Sequence, residues 1–262
     1  MRQSRHSPMA VNGRLYGELI ESARAAASVD AVHGLCGRIC REAGFDHFIY
    51  GAVLPTSLVQ PQTLIISGYP PDWWACYQEK DYFGVDPVVQ HTVSQQSVPL
   101  IWEDLRLGQT EDQSRRLAIR EFMNDAADHG LVTGVSFPAQ IRKGGCGVLS
   151  LVSREQPGKC RERVRDSLAM GQLMAGFVHE AALRCLSDGE LMLNGPTLTD
   201  RERECLLWAA EGKTNAEIGM ILQISTRTVI FHLNNAAEKM GVRSRAQTVA
   251  RAISLGHITP QF

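Results

Sequence analysis

The 262-residue chain has no apolar run approaching eighteen residues, so nothing in it is expected to span a membrane. Its first residues, MRQSRHSPMAVNGRLY, are basic but hold no apolar stretch, which argues against a secretory leader. The seven cysteines include no CxxC pair, which points to reduced thiols and a cytoplasmic protein. A net charge of −1 leaves no overall field to draw in a polyelectrolyte. None of the eight histidines lies two positions from another, so the HxHxDH ligand set of a metal hydrolase is missing. The GxSxG nucleophile elbow is missing as well. No catalytic residue, metal site or cofactor is therefore expected. His33, Cys36 and Cys40 could share one helix face, but a buried face of small residues explains them better than a metal.

Aromatics are scarce, at 6% of the chain, yet they crowd into GYPPDWWACYQEKDYFGVDP at 68–87. That stretch holds Tyr69, Trp73, Trp74, Tyr77, Tyr82 and Phe83, and it ends on Asp86-Pro87. Trp102 follows shortly in PLIWED, so three of the four tryptophans lie in this region. Counted alone, such rings read as core, each needing one polar partner. A pocket would add a few aimed polar groups to apolar walls.

Residues 14–43 carry apolar positions three and four apart and read as two helices. HFIYGAVL (47–54) and TLIIS (63–67) read as strands, and Pro71 with Asp72 opens a short helix through the aromatic cluster. An amphipathic helix over 114–130 ends at Gly130, and TGVSFPAQI and CGVLSLVS pair around the RKGG turn. Residues 163–186 form one long helix. This order predicts an α/β/α sandwich with an antiparallel sheet over 14–186, within an α+β chain. SDGELMLNGPT lacks periodicity and places a linker at 187–197. The remainder, 198–262, is short and all-α.

From Gly195 onward six Arg and two Lys face one Asp and five Glu, 8 − 6 = +2, which is compatible with nucleic acid. Thr199 with Glu202 and Thr214 with Glu217 form capping boxes, and Ser225 caps a further helix. Gly212 and Gly241 sit where helices should stop. The result is a four-helix module, with helix-turn-helix spacing from 215–222 through QIS to 226–240. The last of these helices has an apolar stripe of Val229, Leu233, Ala236 or Ala237, and Met240. Its other face carries Arg227, Thr228, Ile230, His232, Asn234 and Asn235.

LTDREREC, EGKTNAEIGMIL, IS-RTV-FH and KMGVRSRAQ together resemble the LuxR/FixJ type of helix-turn-helix over about 60 residues. The resemblance implies that the 226–240 helix enters the major groove of an operator, with Ile230 and Asn234 toward the bases. It implies backbone contacts from Lys213, Thr214, Arg227, Thr228, Arg243 and Arg245. Ile230 departs from the polar residue frequent at that position, leaving contact with a thymine methyl. A phosphorylated receiver domain would need carboxylates after the first strand, where PTSLVQPQ has none. Tyr69, Trp73, Tyr77, Tyr82, Asp86-Pro87, Trp102 and Gly134 instead resemble the autoinducer-binding domain of LuxR-type quorum-sensing regulators.

That second resemblance implies an N-acyl-homoserine lactone ligand. Asp86 would accept from its amide N–H, Trp73 would donate to the lactone carbonyl and Tyr69 to the amide carbonyl. Ser150 would offer a further hydroxyl. Tyr77, Tyr82, Trp102, Val89, Phe122, Leu131, Ser136 and Val148 would line the pocket. Trp74 stands where some relatives carry arginine, and the amino-terminal extension has no assigned counterpart. The whole implies a cytoplasmic, homodimeric transcriptional activator with a palindromic operator. An orphan receptor for another amphiphile is the alternative, and a lactone-degrading enzyme lacks its motifs.

Overall fold

The computed structural model describes residues 13–54, 62–94, 96–107, 113–140, 145–187 and 197–258. The amino-terminal extension and most of the linker and of the RKGG turn lie outside the described residues. The chain forms two compact units that divide after Cys185.

In the first unit, α1 (Gly13–Ala25) and α2 (Val29–Glu42) precede β1 (His47–Leu54) and β2 (Gln62–Ser67). Ser28 caps α2 by accepting from the Ala31 N–H. Next come α3 (Pro71–Glu79), a 3-10 turn (Tyr82–Gly84), α4 (Pro87–Val93), β3 (Leu100–Ile101) and α5 (Trp102–Leu107). The unit closes with α6 (Gln113–Asp128), β4 (Thr133–Gln140), β5 (Cys146–Ser153) and α7 (Pro157–Ser187). Gly130 takes φ 84 between α6 and β4, a left-handed conformation that a Cβ would penalise.

The sheet has strand order β2-β1-β5-β4-β3. Strand β5 pairs antiparallel with both β1 and β4, which brings Ile49 and Ser136 to either side of Ser150. The sequence expectations for the longer elements hold to within a few residues. The sequence reading lacks the 3-10 turn, α4, β3 and α5: elements this short show little periodicity, and unlike the TLIIS run of β2 they carry no β-branched stretch bounded by turn residues. Helix α7 also starts at Pro157, before the expected 163. Its first turns carry charge instead of an apolar stripe, and proline suits a first helical position.

Side chains alternate between the two faces of the sheet. Helix α7 covers one face. A Cβ at Gly171 would lie 2.2 Å from the Phe137 ring, and one at Gly147 would lie 2.4 Å from His179. His179 Nδ1 and the Tyr50 hydroxyl are 2.6 Å apart, and Gln172 donates to the Pro138 carbonyl at 2.8 Å. Burial pushes the His179 pKa down to about 4, so its imidazole is neutral. The opposite face, with Gly134, Ser136, Val148 and Ser150, turns toward the aromatic cluster.

The second unit comprises α8 (Asp200–Ala210), α9 (Asn215–Leu222), α10 (Thr226–Lys239) and α11 (Arg245–Ser254). The two expected capping boxes form, and Ser244 with Gln247 adds another. Leu206, Ile218, Val229, Leu233, Ala236 and Ala252 meet in its core. The buried Glu202 accepts from Lys239 at 2.7 Å and from the Thr199 N–H at 2.8 Å. Burial opposes its ionisation, but these bonds hold its pKa below the ordinary range. Among the described residues no helix is long and apolar enough to cross a membrane.

Two glycines of α7 give opposite expectations. Gly171→Ala forces the buried Phe137 ring to move and should destabilise by roughly 1–3 kcal/mol. Gly176 is exposed, and a Cβ there meets nothing within 4 Å, so Gly176→Ala should stabilise the helix; the expected gain is up to about 1 kcal/mol. Urea unfolding of both variants checks this, and effects of equal sign would contradict the packing described.

Candidate functional site

The first unit encloses a cavity of about 890 Å³ of atom-free space, its mouth included. The aromatic segment forms one wall and the sheet forms another. Trp73 is its anchor: the indole meets Phe122 edge-on at 5.6 Å, Tyr77 at 5.8 Å and Tyr82 in a stacked arrangement at 6.0 Å. Trp74 stacks flat on Tyr77 at 5.5 Å. Offset and edge contacts of this kind favour fixed ring positions.

The Asp86-Pro87 step starts α4. Asp86 is its N-cap and accepts from the Val88 N–H at 2.8 Å, while Pro87 supplies the first helical residue. The other carboxylate oxygen accepts from the Tyr77 hydroxyl at 3.0 Å. Burial pushes the Asp86 pKa up to about 6, against the lowering effect of bonds from Val88, Tyr77 and Val89. The Tyr69 phenol, also on the cavity, is raised well above its ordinary range by burial and then by the charge of Asp86. Across the cavity Ser150 sits on β5. Trp102 donates its indole N–H to Ser136 Oγ at 2.9 Å, and Ser136 Oγ lies 2.8 Å from Ser150 Oγ.

Most of the sequence-predicted ligand residues come together here: Tyr69, Trp73, Tyr77, Asp86, Val89, Trp102, Phe122, Leu131, Val148 and Ser150 all border the cavity. Tyr82 and Ser136 do not. Tyr82 stands behind Trp73, and its hydroxyl donates at 2.6 Å to Asp125, which also holds Lys80. Ser136 lies behind Ser150 in the sheet. Sequence reasoning missed the β1 and β2 contributions of Ile49, Gly51, Val53 and Ile65, and also Cys146 on β5. Alternation along HFIYGAVL separates two faces but does not say which one meets a ligand. Cys36 and Cys40 are buried, and the Cys40 thiol donates to the Phe45 carbonyl. Burial pushes their pKa values to about 12 and about 11, so both act as small apolar groups.

In the second unit α9, its turn and α10 stand close. Gln223 takes a left-handed φ of 56, and a Cβ at Gly219 would come within 2.8 Å of the Ile224 carbonyl. The glycine therefore permits the tight turn. Val229, Leu233, Ala236 and Met240 are buried, while Arg227, Ile230 and Asn234 are exposed along one face at spacings of three and four. Ile230 is 42% exposed, and its neighbour Phe231 58%. Arg243 is exposed beyond α10. Arg245 donates to Asn215 Oδ1 at 2.7 Å and to the Lys213 carbonyl, tying α11 to the start of α9. The hydroxyls of Thr214 and Thr228 both take part in helix caps.

Residues 28–182 match the family model described as autoinducer binding domain, and residues 196–252 match that of bacterial regulatory proteins, luxR family. The chain is 32% identical over 249 residues to the transcriptional activator protein AhyR of Aeromonas hydrophila, covering 94% of this chain and 92% of that one. It is 31% identical over 224 residues to the transcriptional activator protein LuxR of Aliivibrio fischeri, covering 81% and 82%. In fold it resembles the crystal structure of Escherichia coli SdiA, with a TM-score of 0.73 at 24% identity over 95% of this chain and 99% of that one. SdiA in complex with octanoyl-rac-glycerol gives 0.70 at 22% identity over 100% of both chains. The chain belongs to the LuxR family of bacterial regulatory proteins, with an autoinducer-binding domain followed by a DNA-binding helix-turn-helix domain. The family consists of regulators, not enzymes.

The cavity carboxyl generates a pH prediction. Because its folded pKa, about 6, exceeds the ordinary 3.8, folding favours the protonated acid. The penalty for ionising it is absent below the unfolded value and complete above the folded one. The stability of the wild type relative to Asp86→Asn should therefore fall by about 2 kcal/mol between pH about 4 and about 7. Urea unfolding across that range measures it. A pH-independent difference would mean that Asp86 titrates alike in both states.

Proposed function

We propose that the chain is a cytoplasmic quorum-sensing transcriptional activator that binds an N-acyl-homoserine lactone in the cavity and a palindromic operator as a homodimer. The lactone-binding domain would span 14–186, the linker 187–197 and the DNA-binding domain 198–262. One observation carries the ligand reading: a carboxyl, Asp86, facing an otherwise apolar cavity beside hydroxyl and indole donors. An acyl-homoserine lactone offers the matching groups. Its amide N–H meets Asp86, Trp73 donates to the lactone carbonyl, and Tyr69 and Ser150 donate to the amide carbonyl. Val89, Phe122, Leu131 and Val148 take the hydrocarbon tail. A hydrogen bond to the charged carboxylate is worth about 1.5–3 kcal/mol. In the second domain Ile230 and Asn234 meet base edges, while Lys213, Arg227 and Arg243 meet phosphates. Thr214, Thr228 and Arg245 act on the backbone through the caps and the α9–α11 tie that they support.

The octanoyl-glycerol bound by SdiA supports a second reading, an acyl ester as the signal. An ester carries the carbonyl but has no N–H for Asp86.

Three outcomes are expected. In thermal melts, a lactone at about 100 times its dissociation constant should add about 2.7 kcal/mol to the folded state. Asp86→Asn should abolish most of that gain, while Asp81→Asn, at an exposed turn, should keep it. A shift with monoacylglycerol but with no lactone would favour the ester reading. On the operator, Asn234→Ala should cost roughly 1–3 kcal/mol and relax preference at one position in each half-site, the half-sites lying about 10–10.5 base pairs apart. Arg243→Ala should weaken operator and scrambled DNA alike and reduce the salt slope by about one. Binding isotherms at several salt concentrations separate the two. Equal losses on both DNAs for Asn234→Ala would remove it from base reading.

A further inference from the structure

A chain of three groups runs along the cavity wall, with Trp102 and Ser150 on the cavity and Ser136 between them. The Trp102 indole N–H donates to Ser136 Oγ at 2.9 Å, and Ser136 Oγ is 2.8 Å from Ser150 Oγ. Ser136 is 0% exposed and Ser150 1% exposed, but Ser150 borders the cavity and Ser136 does not.

An indole nitrogen can only donate. One lone pair of Ser136 is thus committed to Trp102. If Ser150 donated to the second lone pair, the Ser136 proton would need another acceptor. Among the described residues the Ser136 side chain has no hydrogen-bond partner besides Trp102 and Ser150. A buried donor left unmade is costly, so the Ser136 proton points to Ser150. The Ser150 oxygen is then the acceptor, and its own proton is left to point toward the cavity, on the side of the Tyr69 phenol.

The strand geometry serves the same chain. Gly134 and Ser136 lie two apart on β4 and so share a face. A Cβ at Gly134 would lie 2.8 Å from the Trp102 ring. The glycine lets the indole lie flat on the strand, with its N–H reaching the next residue on that face.

We propose that Trp102 and Ser136 are positioning residues that fix Ser150 as a hydrogen-bond donor toward the cavity, so that the ligand must present a carbonyl acceptor there. This rests on the lactone reading for the identity of that carbonyl, and it assigns Ser136 a role through Ser150 instead of on the ligand. A ligand with a donor at that position, or a weak acceptor, would be refused.

The test compares an N-acyl-homoserine lactone with its thioamide analogue, in which sulfur, a weak acceptor, replaces the amide oxygen. The ratio of their affinities is read by titration calorimetry on the full chain. Ser150→Ala should lower the wild-type ratio by about fivefold. Ser136→Ala and Trp102→Phe should lower it by about two- to fivefold although neither side chain's polar group meets the ligand, and Ser136→Thr should restore it. A merely structural loss would weaken both ligands equally and leave the ratio unchanged. Wild-type ratios in Ser136→Ala and Trp102→Phe, or in Ser150→Ala, would overturn the proposal. Should the wild type bind neither compound, the lactone reading fails and the relay is read without ligand. In ¹⁵N-labelled protein the indole N–H absent from Trp102→Phe should be protected from exchange and lose that protection in Ser136→Ala. Unchanged exchange would overturn the relay itself.

Discussion

A carboxyl that leaves water on folding must find donors or give up its charge, and the first unit is organised around that constraint at Asp86. The Val88 N–H and the Tyr77 hydroxyl supply two bonds. They do not offset burial, since the pKa still rises to about 6. Under the proposed function, the ligand's amide N–H would add a donor to this carboxylate, and its binding energy would add to the stability of the fold. Trp73, Tyr77, Tyr82 and Phe122 hold one another in contact, so this cavity wall is built by the chain's own ring packing.

The second unit rests on local chemistry. Its helices begin at Thr199, Thr214, Ser225 and Ser244, each of which caps the N–H groups that the first turn leaves open. Glu202 is a long-range tie, joining the start of α8 to Lys239 at the end of α10, as Arg245 joins α11 to α9. With α10 fixed at both ends, its outer face of Arg227, Ile230 and Asn234 is presented on a rigid element.

That difference explains what could be read in advance. Caps and periodicity lie within a few residues of sequence, so the four C-terminal helices and the buried stripe of α10 were legible. So were the long strands and the aromatic segment, and the autoinducer-domain resemblance brought ten of the twenty-three described residues that border the cavity. The unread parts depend on contacts distant in sequence. Nothing in HFIYGAVL marks Ile49 and Gly51 as cavity positions, because that depends on β1 lying beside β5. Ser136 read as pocket lining and stands one residue deep, because its register opposite Ser150 is set by strand pairing. Arg245 read as a DNA-backbone contact, and its guanidinium is held by Asn215, thirty positions earlier.

The most direct measurement is the titration of the Asp86 carboxyl itself, followed by ¹³C NMR in the empty and the lactone-loaded protein. A midpoint near 6 in the empty protein, falling once an amide N–H donates to the carboxylate, is the expected result. A midpoint at the ordinary value of 3.8 in the empty protein, or one that a bound lactone leaves in place, would contradict the role of Asp86 as the group that awaits the ligand.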